Sequence, residues 1–201
     1  MPITPPVLGK VTYEPITIFR TTTGGTGMPQ MERFPESATQ TFQQGVPLKY
    51  SAGYLVEADG TWAAADIIAG MSVEPGHNLT TSGVAQGGVS EGTARNQASS
   101  KIIPVGAWVR DGKCGLYVAN GENIFSAFAT NGPFTQSMIA PGTYYQLLKD
   151  STSGFWYVNL TGTTGNGAIV ELLGVDPASP NTTTDGIRVF FRIKGAQRQF
   201  D

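Results

Sequence analysis

The residues best able to do chemistry in this chain are few, and their surroundings are wrong for it. Gly88-Val89-Ser90-Glu91-Gly92 matches G-x-S-x-G, the pattern that presents a nucleophilic serine on a sharp strand-to-helix turn in α/β-hydrolases. No apolar strand precedes it and no stretch of helix length follows. The single histidine, His77, also lies before the serine, where that fold places its base after it. The match therefore reads as a glycine-rich loop. Cys114 paired with His77 would need a third, orienting group and an electropositive setting that Lys113 alone hardly supplies, so Cys114 reads as a small buried hydrophobe. One cysteine also rules out an intrachain disulfide and a zinc site of several thiolates. His77 stands in Glu74-Pro75-Gly76-His77-Asn78, a turn after an apolar run, where a local hydrogen bond is its expected work and metal-binding partners are lacking nearby. Glu57, Asp59, Glu74 and Glu171 are the acids on or beside apolar runs, and nothing else supports them as a glycosidase pair. Gly162-Thr163-Thr164-Gly165-Asn166-Gly167 carries no lysine and opens no helix, so it is a hairpin loop rather than a phosphate cradle. The expectation is a non-enzyme with no catalytic residues, no metal ligands and no cofactor.

Composition points the same way. The 201 residues carry 13 Lys plus Arg against 15 Asp plus Glu, a net charge of −2, with charged residues at only 14%. A nucleic-acid partner would call for a basic stripe able to displace counterions from phosphate, and there is none. No polybasic patch and no apolar run near the roughly 18 residues of a membrane span occurs, so neither nucleic acid nor membrane is expected as a partner. The N-terminal stretch has no positive region followed by an apolar one, which predicts synthesis in a cytosol and makes the sequons at Asn78, Asn159 and Asn181 chance matches.

Gly (26) and Pro (13) are spread so evenly that a helix of ordinary length hardly fits between them. What remains is short and rich in β-branched and aromatic residues: 11–19, 39–50, 53–57, 61–73, 102–109, 115–119, 123–128, 143–149, 155–160, 168–175 and 187–193. Such runs, separated by Asp59-Gly60, Asp111-Gly112, Asn120-Gly121, Asn131-Gly132, Asn166-Gly167 and Asp185-Gly186, predict an all-β sandwich or barrel with hairpin turns at those dipeptides. In the last run Ile187, Val189, Phe191 and Ile193 share one face, and Arg188, Phe190 and Arg192 the other. The first face is core; the second is either a solvated face or a contact surface. The run 155–158 is apolar throughout and 168–175 is apolar on both faces with only Glu171 charged, so both predict strands covered on two sides.

Residues 1–35 stand apart, with Pro2, Pro5, Pro6, Pro15, Pro29 and Pro35 and the run Thr21-Thr22-Thr23-Gly24-Gly25-Thr26-Gly27. Proline cannot donate to a ladder, so this region predicts an extended arm. Its β run, Val11-Thr12-Tyr13 and Ile16-Thr17-Ile18-Phe19, is either donated to a neighbour or an edge strand of the same chain. Residues 82–100, polar and glycine-rich, predict a long surface loop. The expected organisation is all-β, an extended N-terminal arm (1–35) followed by two small packed β-barrel or β-sandwich units, 36–120 with its long loop and 121–201. Tyr13, Ile16, Ile18 and Phe19 in the arm, with Arg188, Phe190 and Arg192, are the candidate residues for contact with another subunit or protein.

Two groups of segments resemble a known family. The first is 35–48, with Thr41-Phe42-Gln43-Gln44-Gly45-Val46-Pro47-Leu48, then Gly53-Tyr54-Leu55-Val56-Glu57 and Ile67-Ile68-Ala69-Gly70-Met71-Ser72-Val73-Glu74-Pro75-Gly76-His77-Asn78. The second is Ile124-Phe125-Ser126-Ala127, Gly142-Thr143-Tyr144-Tyr145-Gln146-Leu147, Gly154-Phe155-Trp156-Tyr157-Val158, Val170-Glu171-Leu172-Leu173-Gly174-Val175-Asp176-Pro177 and Ile187-Arg188-Val189-Phe190-Phe191. They resemble the opening and the closing β-barrel of tailed-phage capsid decoration, or cement, proteins. The resemblance implies a virion protein on the outer surface of the capsid. It would be made in the host cytoplasm, assemble as a homotrimer, and bind the major capsid protein to bridge capsomers and stabilise the head. A competing reading is a receptor- or carbohydrate-binding head-fibre module, in which Trp62, Trp108, Trp156 and the tyrosines form stacking platforms.

Overall fold

The protein is described from a computed structural model, over residues 16–21, 29–60, 62–63, 66–79, 95–96, 101–102, 112–130, 134–151, 153–177, 179 and 187–198. It is all-β. Among the described residues the only helical pieces are two short 3-10 turns, Gln136–Ile139 and Gly195–Gln197.

The C-terminal half closes into a five-stranded barrel. Strands β9 (Asn123–Thr130), β10 (Tyr145–Lys149), β11 (Trp156–Asn159), β12 (Ala168–Val175) and β13 (Ile187–Ile193) run in the order β9-β11-β10-β12-β13, and β13 returns to pair with β9. All neighbours are antiparallel except β11 and β9. The barrel forms because alternate residues fill its interior: Phe125, Ala127 and Ala129 from β9 and Ile187, Val189, Phe191 and Ile193 from β13 are all buried. The expectation that 155–158 and 168–175 are covered on both faces holds only at the start of β12, where Ala168, Ile169 and Val170 are all buried. From Glu171 onward only Leu172 of β12 is buried, and of β11 only Trp156 and Val158 are, because a barrel wall has a single interior face.

Residues 31–118 build a second sheet. Its strands are β2 (Met31–Pro35), β3 (Pro47–Ser51), β4 (Tyr54–Glu57), β5 (Ile68–Ser72) and β8 (Lys113–Val118), in the order β2-β8-β5-β3-β4. It curls until Glu36, just after β2, bridges Leu55 of β4 in parallel. The backbones of β5 and β8 approach so closely at Gly70 that an added Cβ would stand 2.1 Å from the Tyr117 carbonyl oxygen. A separate two-residue ladder joins β6 (Arg95–Asn96), inside the stretch 82–100 expected as a loop, to β7 (Lys101–Ile102) just after it.

The region expected as one arm is divided. Strand β1 (Thr17–Thr21) joins β9 at the barrel, whereas β2 is an outer strand of the other sheet, where the missing N–H of Pro35 is tolerated. The tightest hairpin, β3 to β4, turns at Ala52-Gly53, with φ of 50° and 87°, rather than at an Asn-Gly or Asp-Gly pair. Positive φ at both central residues is type I′ geometry, which favours asparagine over alanine at the first. Ala52→Asn is therefore expected to raise stability by about 1 kcal/mol, read as an increase of roughly 2–4 °C in the thermal midpoint. Asn120-Gly121 does not close a hairpin either. It carries the chain from β8 to the barrel, with Asn120 Oδ1 accepting the Glu122 and Asn123 N–H groups.

A single apolar core runs through both sheets, from Leu48, Leu55, Met71 and Leu116 to Phe125, Leu147, Leu172 and Phe191. Trp62 bridges them: its Nε1 donates to the Leu147 carbonyl at 2.7 Å and its ring tilts against Trp156 at 5.6 Å between centroids. Glu57 of β4 accepts from Lys149 Nζ (2.7 Å) and Trp156 Nε1 (3.3 Å), adding a polar clamp at the same junction.

Candidate functional site

The predicted contact residues converge on the wall made by β1, β9 and β13, with Tyr13 outside the described residues. Thr17 pairs with Ser126, which in turn pairs with Phe190, so three strands present one outward row. Between Ile18 and Arg20 the register shifts, which places Phe19 at a bulge. That bulge lays its ring on Phe190, with centroids 3.9 Å apart and planes 22° from parallel. Phe19 remains 47% exposed.

The same residues divide into inside and outside in a way the alternation did not indicate. Ile16 is buried and Ile18 packs against the core, so neither is open to another molecule while β1 is seated. Arg188 is buried too. Its Nε donates to Ser126 Oγ at 3.1 Å, its Nη2 to Thr17 Oγ1 at 3.1 Å and to the Ser126 carbonyl at 3.3 Å, and its guanidinium lies 5.1 Å over the Phe128 ring with Asp176 at 3.8 Å. Arg188 therefore meets β1 rather than solvent, and ties that strand to the barrel wall. The cause is β1 itself, which covers the face that β13 alone would leave open. Arg192 donates to Glu171 Oε2 at 2.6 Å and stays part-exposed; that hydrogen bond, and then the attraction of the carboxylate, hold its pKa up against burial. Phe19, Phe190 and Arg192 are what the wall offers outward.

The second constellation lies inside the curled sheet and was not foreseen as one. His77, expected to make a local bond, is 2% exposed and reaches a residue 41 positions away. Its Nδ1 stands 2.6 Å from Glu36 Oε2, and its backbone N–H donates to Glu36 Oε1 at 2.8 Å. Glu36 itself is wholly buried, held where the two ends of the sheet meet. On the other side, His77 Nε2 lies 3.7 Å from Glu74 Oε2, beyond hydrogen-bond range, and has no partner of its own. Glu74 Oε1 accepts the Gly115 N–H at 2.7 Å and Arg33 Nη1 at 3.0 Å, while Arg33 Nη2 donates to the Lys113 carbonyl at 2.8 Å. Two carboxylates are balanced by an imidazolium and a guanidinium, which is how charge survives burial.

Burial alone would lower the His77 pKa, but hydrogen bonding to Glu36, the contact with Glu74 and the attraction of both carboxylates push it up to about 9. Glu74 moves the opposite way: burial works to raise it, yet His77, the Gly115 N–H and Arg33 together hold it below the usual carboxylate range. Beside them the Cys114 thiol is fully buried, and burial, with the two carboxylates adding to it, pushes its pKa well above the ordinary value. Such a thiol is inert, as a small hydrophobe would be. A general base must come within hydrogen-bond reach of a substrate proton, and His77 presents no surface from which to do so. The cluster's chemistry is cohesion: it pins the 73–79 segment to β8 and to the end of β2. Among the described residues no group of three or more His, Cys, Asp or Glu is arranged to hold a metal ion.

The other candidate groups fall elsewhere. Gly88 to Gly92, with Ser90, and Trp108 lie outside the described residues. Glu57 is engaged with Lys149, Glu171 with Arg192, and Asp59 stands 4.0 Å from Lys49. Trp62 and Trp156 are buried with their N–H groups bonded, so neither forms a stacking platform for a sugar. Glu36 and Arg33 were the residues sequence reasoning missed. The Glu74-x-x-His77 spacing was the one local hint, since it flags an acid beside a lone histidine. Comparison of the chain with protein-family models, with curated proteins and with solved structures finds no match in any of the three.

Proposed function

We propose that the protein is a structural component of a tailed-phage head, a decoration protein that binds the outer surface of the capsid and stabilises it by bridging capsomers. In this reading it assembles as a homotrimer, is made in the host cytoplasm and acts without catalysis. The observation that carries the reading is the β1-β9-β13 wall. An N-terminal strand is laid on a closed barrel and displays a half-exposed aromatic at its bulge, and the fifteen residues that precede it in the sequence include Pro2, Pro5, Pro6 and Pro15. A chain that touches several subunits at once gains strong retention from modest contacts, so it needs an extended reach more than a deep pocket. Low charge and a polar surface of Ser, Thr, Asn and Gln suit repeated packing against neighbours.

The test is co-sedimentation of the purified chain with expanded heads that lack their decoration protein. The full chain is expected to pellet with the heads at a fixed stoichiometry and to raise their resistance to heat. Deletion of residues 1–15, which spares β1 and β2, is expected to weaken retention at least tenfold. A full chain that stays in the supernatant overturns the reading; a truncated chain that binds as well as the full one removes the arm from it. The carbohydrate-binding alternative draws no support from Trp62 and Trp156, whose rings lie between the two sheets.

A further inference from the structure

We infer that β1 is an exchangeable strand: when copies of the chain assemble, the β9 edge of one copy is filled by residues 16–21 of a second copy. The inference rests on the self-association in the reading above and specifies the contact that produces it.

The argument starts from connectivity. Strand β1 belongs to the barrel, yet the elements that follow it in the chain, β2 to β5 and β8, build the other sheet. Only residues 22–30 tie it to the rest of its own chain, and they include Gly24, Gly25 and Gly27. It ends the strand order of its sheet and pairs there only with the Asn123–Ser126 half of β9, while β11 takes Ala129 and Thr130 on the same side.

The seat, however, is built to be filled. Arg188 is buried with Thr17 as one of its acceptors, Ile16 is 5% exposed, and Phe190 carries the ring of Phe19. With the seat empty, a buried guanidinium would lose an acceptor and the apolar side chains of β9 and β13 would lose their cover, each at a cost in free energy. None of these contacts depends on which copy supplies the strand. The choice between own and neighbouring β1 is therefore set by the tether against the local concentration of other copies. A tether only nine residues long sets an effective concentration on the order of millimolar. Copies held side by side in an oligomer or on a surface reach that concentration, so exchange costs little and links them.

Two single variants, Phe19→Cys and Phe190→Cys, are mixed and treated with oxidised glutathione. Two thiols lose two electrons and two protons to form one disulfide, and the glutathione disulfide is reduced to two thiols. Cys114 is buried and does not compete. The expected result is a disulfide joining a Phe19→Cys chain to a Phe190→Cys chain, increasing with protein concentration, and linked chains from the double variant. A double variant that closes only within single chains, with no linked product from the mixture up to millimolar protein, overturns the inference. So does a double variant that forms no disulfide, since β1 would then be seated on no copy. Because Phe190 is part-buried, a second measurement alters only the exposed position: p-benzoylphenylalanine in place of Phe19, irradiated in a mixture of nitrogen-15-labelled and unlabelled chains. Cross-links from position 19 to β13 that combine both isotopes support exchange, and cross-links within one isotope alone refute it. Neither experiment involves a capsid, so failure here and failure to bind heads are separate results.

Discussion

Replacing His77 with alanine is expected to lower stability by about 3–5 kcal/mol near pH 6, or the thermal midpoint by roughly 10 °C. The size follows from what is left behind: Glu36, wholly buried, keeps no cationic partner at 2.6 Å, and Glu74 is balanced by Arg33 alone. Removing one member of a buried pair costs far more than the pair contributes, because the survivor remains desolvated. His77→Gln keeps an N–H to offer Glu36 but carries no charge, so a smaller loss is expected.

The pH dependence separates charge from packing. His77 has its pKa raised from 6.5 to about 9 in the folded protein, so its contribution is complete below pH 6.5 and disappears as pH rises through about 9. That contribution is roughly 3 kcal/mol. The lowered pKa of Glu74 acts at the other end, with stability present above 4.5 and lost as pH falls through its folded value. Urea unfolding from pH 5 to 10 should therefore show the wild type and His77→Gln converging above pH 9. Because the chain has one histidine, its imidazole resonances in a nitrogen-15 spectrum are unambiguous, and they should titrate near 9. A midpoint near 6.5, or parallel stability curves, would remove the imidazolium from the account.

The second large effect belongs to Trp62. Trp62→Ala is expected to cost about 3–5 kcal/mol, since it empties the space between the two sheets and leaves the Leu147 carbonyl without its donor. Trp62→Phe retains much of the apolar area but not the N–H, and about 1–2 kcal/mol is expected. More informative than the sizes is the shape of the transition. The apolar core is continuous through both sheets, so wild type should unfold in one step by fluorescence and circular dichroism together. Trp62→Ala should separate the two probes into distinct transitions. Coincident transitions in that variant would mean that Glu57, Lys149 and the remaining core suffice to couple the sheets.

The all-β class, the spread of short strands and the inward row Ile187, Val189, Phe191 and Ile193 were determined by the sequence alone. So was the burial of Cys114. Each is a local property: Gly and Pro break helices wherever they stand, and alternation puts residues i and i+2 on one face whatever the strand pairs with. Tertiary structure decided what the opposite faces meet. Arg188 and Phe190 alternate with the core and look alike from the chain, yet one is buried under β1 and the other carries an exposed ring, because β1 arrives from some 170 residues away. Glu36 gives no local sign that it will face His77, and Trp62 none that it will lie between two sheets. Whether a polar side chain is paired inside or solvated outside depends on which strands become neighbours when the sheets close, and closure is a property of the whole chain that no window of the sequence contains.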